Sequence, residues 1–312
     1  MHLHPALLGA AAEALAQVLE LKFPADAVLS RFFRENPALG QRDRAFVAET
    51  TYAVLRRRRR LERAAGVRTT PRRLVIAACL LVQGMNRRQL AEVLKPSDDA
   101  WLDALYAPPE PPPSLAEQAD LPDWLAEALA ATCTAPALLA MAEALNQPAP
   151  LDLRVNPLKI TRDEAQARLA ADGLEARPGR YSPLALRLAG KPALAQHPLF
   201  LDGALEVQDE GSQLLAFLTA PRRGEMVADF CAGAGGKTLA LGALMRNTGR
   251  LYAFDVSDKR LLKLRPRLAR SGLSNVHPVR IAHENDSHVK RLAGKLDRVL
   301  VDAPCSGLGT LR

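Results

Sequence analysis

Two short loops in the last third of the chain carry residues that can do chemistry. The first is Asp229-Phe230-Cys231-Ala232-Gly233-Ala234-Gly235-Gly236-Lys237-Thr238, between the apolar Met226-Val227-Ala228 and a helix-like stretch from Leu239 to Met245. Strand, glycine-rich turn and helix is the geometry that brings backbone N–H groups close to a nucleotide-like ligand. Gly233-Ala234-Gly235-Gly236 has no side chain large enough to block such a ligand. Asp255 ends the next apolar stretch, where an acid accepts hydrogen bonds from a ribose diol; the alternative is a cap for the segment starting at Val256. The second loop, Asp302-Ala303-Pro304-Cys305-Ser306-Gly307, follows Arg298-Val299-Leu300-Val301. A lone cysteine is usually a small buried hydrophobe. Here an acid and a proline precede the thiol at a strand end, which reads as a reaction site beside the ligand. A thiolate is a nucleophile for conjugate addition to a pyrimidine ring, whose C5 is otherwise too unreactive to take a methyl group.

A nucleoside triphosphatase is the competing reading. Gly236-Lys237-Thr238 is similar to the end of a phosphate-binding loop, and Arg298 to Asp302 to the strand that accompanies it. Such a loop needs a glycine at position 231, where a cysteine stands.

The elements that must position these loops follow from periodicity. Strands are expected over Glu225–Phe230, Leu251–Asp255, Val276–Ala282 and Asp297–Asp302, and helices over Thr238–Asn247 and Asp258–Ser271. This alternation implies a parallel, doubly wound sheet, which binds ligands outside the carboxyl ends of its strands. Both loops lie there. Ahead of it, Leu151–Val155 and Leu184–Leu188 alternate like strands, and Thr161 can cap a helix over Arg162–Ala171. These make a small α/β subdomain. Residues 1–106 read as all-helical, with helices over Ala6–Leu21, Asp43–Leu61 and Pro71–Val82. Leu121–Leu145 reads as two short helices interrupted at Pro136. The proline run from Ala107 to Pro113 reads as a spacer. The expected domains are thus 1–106, a linker 107–118, an α/β subdomain 119–200 and a ligand-binding core 201–312.

Composition narrows the class. The chain has 312 residues, 48% of them hydrophobic, which suits a buried core. The longest apolar run, Leu74 to Val82, is too short to cross a bilayer, and the N-terminus lacks signal-peptide features. The cytoplasm is the expected location and no membrane partner is expected. The four cysteines are widely spaced without a CxxC pair, so neither a metal site nor a disulfide framework is expected. A net charge of +8 suits a polyanion, and the run Arg56, Arg57, Arg58, Arg59, Arg60 covers every face of a helix. RNA contact is expected there. Aromatic residues, at 4%, are too few for an extended base-stacking platform.

Together these motifs resemble the RsmB/Sun–NOP2 family of S-adenosylmethionine-dependent RNA cytosine-C5 methyltransferases. Arg42-Asp43-Arg44 through Arg60 resembles the NusB-like helical RNA-binding domain in front of bacterial members. Leu153-Arg154-Val155-Asn156-Pro157 resembles the opening of the catalytic module, and Gly203 to Ser212 the segment before the cofactor strand. Asp302-Ala303-Pro304-Cys305-Ser306-Gly307 is the most specific element.

The resemblance implies a Rossmann-like class I methyltransferase core with a small α/β subdomain and an all-α NusB-like front. It implies S-adenosylmethionine on Cys231, Ala232, Gly233, Ala234, Gly235, Gly236, Lys237 and Asp255. It places Asp286, or else Glu284, near the adenine, and Asp302 between cofactor and target base. It implies RNA, within it 16S rRNA, as substrate, and a monomer. The family uses two cysteines: one in a Thr-Cys-Ser segment attacks C6 of cytosine, and the one matching Cys305 assists release of the methylated RNA.

Two departures stand out. The family's Cys-Ala-Ala-Pro-Gly-Gly-Lys-Thr appears here with Gly233 and Ala234 in its third and fourth places, which implies a looser loop. No Thr-Cys-Ser segment occurs in the 312 residues. The chain is expected to be a fragment, inactive as it stands, with a catalytically silent RNA- and cofactor-binding remnant as the alternative. A DNA methyltransferase using a Pro-Cys nucleophile would make Cys305 the attacking thiol; the helical front and the Gly-Gly-Lys-Thr loop argue against it.

Overall fold

The computed structural model describes residues 3–66, 69–107, 111–147, 149–190, 192–305 and 307. They form two compact units, residues 1–148 and Ala149–Gly307.

Alanine- and leucine-rich segments with good caps make the first unit helical. Its helices are α1 (Pro5–Leu19), α2 (Ala25–Glu35), α3 (Gln41–Arg56), α4 (Arg58–Ala65), α5 (Pro71–Leu81), α6 (Asp99–Ala104), α7 (Leu115–Ala119), α8 (Asp123–Ala130) and α9 (Ala135–Asn146). Leu15, Phe32, Val54, Leu61, Ile76 and Leu102 are among the side chains filling the main core. The helix expected over Asp43–Leu61 is two helices, with a break at Arg57. The sequence pattern missed α2, whose apolar face is only Val28, Leu29 and Phe32. Pro136 does not interrupt a helix: it sits in the first turn of α9, where its missing N–H costs nothing.

Part of the expected linker is helical. Within 107–118, Ser114 caps α7: its hydroxyl accepts from the Glu117 N–H at 3.2 Å, and the Glu117 carboxylate accepts from the Ser114 N–H at 2.8 Å. Pro108 to Glu110 lie outside the described residues. The two compact units divide after residue 148, and within the first unit α7–α9 are tied to α4 and its N-cap by charge. Arg57 pairs with Glu143 at 2.7 Å, Arg59 with Asp123 at 2.6 Å, and Arg63 with Glu117 at 2.9 Å.

In the second unit, strands β1 (Leu151–Val155), β2 (Ala176–Pro178), β3 (Ala185–Leu188) and β4 (Leu205–Val207) form an antiparallel sheet of order β2-β3-β1-β4. Helix α10 (Arg162–Ala171) begins at the Thr161 cap, as its sequence indicates. Helices α11 (Pro198–Leu201) and α12 (Glu210–Thr219) lead onward. Then β5 (Met226–Asp229), α13 (Gly236–Leu244), β6 (Arg250–Asp255), α14 (Asp258–Ser271), β7 (Val276–Arg280), α15 (Ser287–Lys290) and β8 (Arg298–Leu300) build a parallel sheet of order β7-β6-β5-β8. One face packs Val227, Leu251, Ala253 and Val276 against Leu239 and Ala240 of α13 and Leu261 and Leu264 of α14. The other face holds Ala228, Phe254 and Ile281. On β8 and just beyond it, Val299 and Val301 remain 49% and 59% exposed. The strand order reverses at β5, with β6 on one side and β8 on the other. The crevice beyond the carboxyl ends of β5 and β8 is where sheets of this kind bind ligands.

Candidate functional site

The glycine loop leaves β5 at Asp229 and threads between two strand ends. The Phe230 N–H donates to the Leu300 carbonyl and the Ala232 N–H to the Phe254 carbonyl, both at 2.8 Å. Gly233 and Gly235 have φ of +57° and +83°. At Gly235 a Cβ would also collide with the Leu264 side chain. Glycine is needed there for backbone conformation and for close packing of α14.

Asp255, 3% exposed, does two jobs in one carboxylate. It accepts from the Gly233 N–H at 2.8 Å and from the Ser257 N–H at 2.7 Å. It supports the following turn, as one of the two alternatives read from the sequence has it, and it lies against the glycine loop.

Asp229 is 1% exposed. One carboxylate oxygen accepts from the Thr238 hydroxyl at 2.7 Å, and the other has no partner among the described residues. Burial pushes this carboxyl up to about 6, against the lowering effect of the Thr238 hydrogen bond and the Lys237 charge. The Cys231 thiol, half-buried, is pushed up by burial and by the carboxylates of Asp255, Asp229 and Asp302.

The second loop meets the first through one ion pair. Lys237 Nζ lies 2.6 Å from Asp302, with the lysine mostly buried and the aspartate about half exposed. Cys305 is exposed. Asp286, assigned to the adenine side, caps α15. It accepts from the Ala282 and His288 N–H groups at 3.0 and 2.9 Å and bonds His288 Nδ1 at 2.8 Å, which holds its carboxyl well below the usual range. Glu284 is exposed and accepts from the Asn285 side chain at 3.2 Å.

The arginine run has an intramolecular use that its composition did not indicate. The Arg59 guanidinium also donates to the Leu121 carbonyl at 2.7 Å, the Arg60 N–H and guanidinium reach Asp120 and the Gln118 carbonyl, and Arg58 pairs with Glu62. Arg56, at the end of α3, is half-buried.

Sequence reasoning missed two supporting residues. Arg154, buried on β1, donates to the Gly236 carbonyl at 2.6 Å and to the Gln208 side chain. Arg267 donates to the Ala234 carbonyl at 2.7 Å while holding Glu206 at 3.1 and 2.8 Å. Arg154 lies within the Leu-Arg-Val-Asn-Pro motif, the one signal that pointed near it.

A parallel sheet of this order, with a glycine loop and an Asp-Ala-Pro-Cys loop at its switch point, defines a Rossmann-like methyltransferase fold. Comparison with known proteins agrees. Residues 216–312 match the family model described as 16S rRNA methyltransferase RsmB/F, and residues 121–195 match the ferredoxin-like domain of RsmF/B-like methyltransferases. The probable ribosomal RNA small subunit methyltransferase B of Synechocystis is 39% identical over 199 residues, covering 64% of this chain and 44% of that protein. The human 28S rRNA (cytosine(4447)-C(5))-methyltransferase is 34% identical, covering 56% of this chain and 21% of that one. A solved methyltransferase homologue from Pyrococcus horikoshii superposes with a TM-score of 0.56 at 32% identity, covering 70% of this chain and 66% of that one. The chain belongs to the RsmB/Sun family of RNA methyltransferases. It spans less than half the length of its bacterial relatives. No helix among the described residues is long and apolar enough to cross a membrane.

Proposed function

We propose that this chain carries the cofactor and release half of an S-adenosylmethionine-dependent RNA cytosine-C5 methyltransferase acting on rRNA, within it 16S rRNA. One observation carries the reading: the glycine loop and the Asp302–Cys305 loop share one switch point and are joined by the 2.6 Å Lys237–Asp302 pair. The residues fit the cofactor. The loop presents glycines and first-turn N–H groups, Asp255 lies against it, and Asp229 keeps a buried oxygen without a partner among the described residues. When bound, S-adenosylmethionine supplies an electrophilic methyl group. Residues 231–237 and Asp255 hold it, with Asp286 or Glu284 on the adenine side and Asp302 facing the base.

In the two-cysteine mechanism a thiolate bonds to C6 of cytosine, C5 takes the methyl group, and loss of the C5 proton expels the thiolate. Cys305 serves the release step. The attacking cysteine belongs to a Thr-Cys-Ser segment, which these 312 residues do not contain. The N-terminal unit is read as NusB-like and as the RNA-binding front, through Arg56 to Arg60, in a monomeric cytoplasmic protein.

The test is incubation with methyl-labelled S-adenosylmethionine and unmodified small-subunit rRNA. The 312 residues should give no turnover, and a chain extended to include Thr-Cys-Ser should form 5-methylcytosine. Multiple turnover by the 312 residues would make Cys305 the nucleophile. The remnant reading stands if the extended chain is also silent while binding cofactor and RNA.

A further inference from the structure

The glycine loop is held from behind by two guanidinium groups of different origin. Arg154 comes from β1 of the small antiparallel sheet, and Arg267 from α14 of the parallel layer. Each donates to one carbonyl of the loop: Arg267 to Ala234 at 2.7 Å, Arg154 to Gly236 at 2.6 Å. In a trans peptide the C=O and N–H point in opposite directions. Fixing the Gly236 carbonyl therefore fixes the Lys237 N–H to point the other way. Fixing the Ala234 carbonyl does the same for the Gly235 N–H, which donates to Ala232 at 2.8 Å and closes the turn.

The electrostatics say that this arrangement is not there for packing. Arg154 is 3% exposed, and its two acceptors, Gln208 and the Gly236 carbonyl, are neutral. The nearby Glu206 carboxylate is taken by Arg267 and by Arg270 at 2.5 Å. Burial pushes the Arg154 guanidinium down to about 10. It also sits at the first turn of α13, the positive end of that helix, where a cation is disfavoured. An apolar side chain of similar size would fill the space without these penalties.

We propose that Arg154 and Arg267 are positioning residues: they clamp the carbonyl side of the glycine loop, Arg267 holding its turn closed and Arg154 aiming the Lys237 N–H at the cofactor, and so make the small sheet a structural partner of the cofactor site. The inference rests on reading that loop as the cofactor site. It adds a role for the Leu-Arg-Val-Asn-Pro motif, which otherwise lies on a separate sheet. The ordering of the loop in the ligand-free protein follows directly and does not depend on what binds.

Two readouts on Arg154→Met and Arg154→Lys test it. The first is amide hydrogen exchange of residues 233–237 without ligand. Arg154→Met should exchange at least about tenfold faster there, with β6 and β7 unchanged. Arg154→Lys, which keeps one donor, should fall between. The second is calorimetric titration with S-adenosylmethionine, where Arg154→Met should bind at least about tenfold more weakly at an unchanged melting temperature. Exchange equal to wild type in both variants overturns the proposal. So does a lowered melting temperature with unaltered cofactor affinity, which is the signature of a packing role. If Arg154→Met does not fold, Arg154→Lys decides by the same two criteria. If the wild-type protein takes up no S-adenosylmethionine, the functional reading fails, while the exchange comparison still decides the clamp.

Discussion

The two loops at the switch point are built in opposite ways. The glycine loop is bonded on every side: Asp255 holds the Gly233 N–H, Thr238 ties Asp229, and two arginines hold its carbonyls. The Asp302–Cys305 segment is exposed along its length and meets the first loop through Lys237. A preorganised half spends little ordering entropy on its ligand, whereas an open half leaves room for a bulky one. The contrast matches a small cofactor on one side and an RNA base on the other.

The contrast breaks most visibly at Gly235. Gly235→Val places a β-branched residue at φ +83° and against Leu264, so it should destabilise the second unit by about 3 kcal/mol or more and abolish cofactor binding. Thermal melting checks this. By contrast, Cys305→Ser, on the exposed loop, should leave the melting temperature unchanged.

Next in size is Asp255→Ala. It removes a carboxylate that accepts two backbone N–H groups and that the proposed function assigns to the cofactor, and should weaken S-adenosylmethionine binding by roughly 1.5–3 kcal/mol.

A smaller effect comes from Asp229. Its folded-state value of about 6 lies above the unfolded carboxyl near 3.9. A raised value means the folded state binds the proton more tightly. The resulting stabilisation is full below about pH 4 and is lost as pH rises through 6. Between pH 5 and 7.5 the wild type should lose on the order of 1 kcal/mol that Asp229→Asn does not lose, as followed by denaturant unfolding at each pH. Equal pH slopes would contradict a carboxyl titrating near neutrality.

A further comparison, whose Arg58 arm carries the smallest effect, sharpens a second contrast, inside the arginine run. Arg59→Ala, which removes bonds to Asp123 and the Leu121 carbonyl, should lower stability by about 1–2 kcal/mol. Arg58→Ala loses only a surface pair with Glu62, worth about 0.5 kcal/mol. If the run also contacts RNA, each lost phosphate contact should reduce the salt slope by about one.

What the sequence made legible follows from range. The strand–glycine loop–helix at β5 and α13, the bounds of β1, α10 and α14, and the Thr161 cap all rest on neighbours within a few residues. The parallel order and the approach of the two loops follow from the alternation of strands and helices. Arg154 was invisible as a brace because its partner, Gly236, is distant in the chain and is a carbonyl, which every residue has. The arginine run read as an RNA contact, and its intramolecular pairs were hidden because its carboxylates lie beyond the proline stretch. For Asp286 the sequence showed an acid after β7 but not that it accepts from two amides of its own turn.

The central claim, that the glycine loop and Asp255 hold S-adenosylmethionine, is tested most directly by calorimetric titration of wild-type and Asp255→Ala proteins with S-adenosylmethionine and with ATP. Saturable S-adenosylmethionine binding by the wild type, weakened at least about tenfold in Asp255→Ala and with ATP far weaker, is the expected result. Equal affinities for S-adenosylmethionine in the two proteins, or ATP bound in preference, would contradict the account.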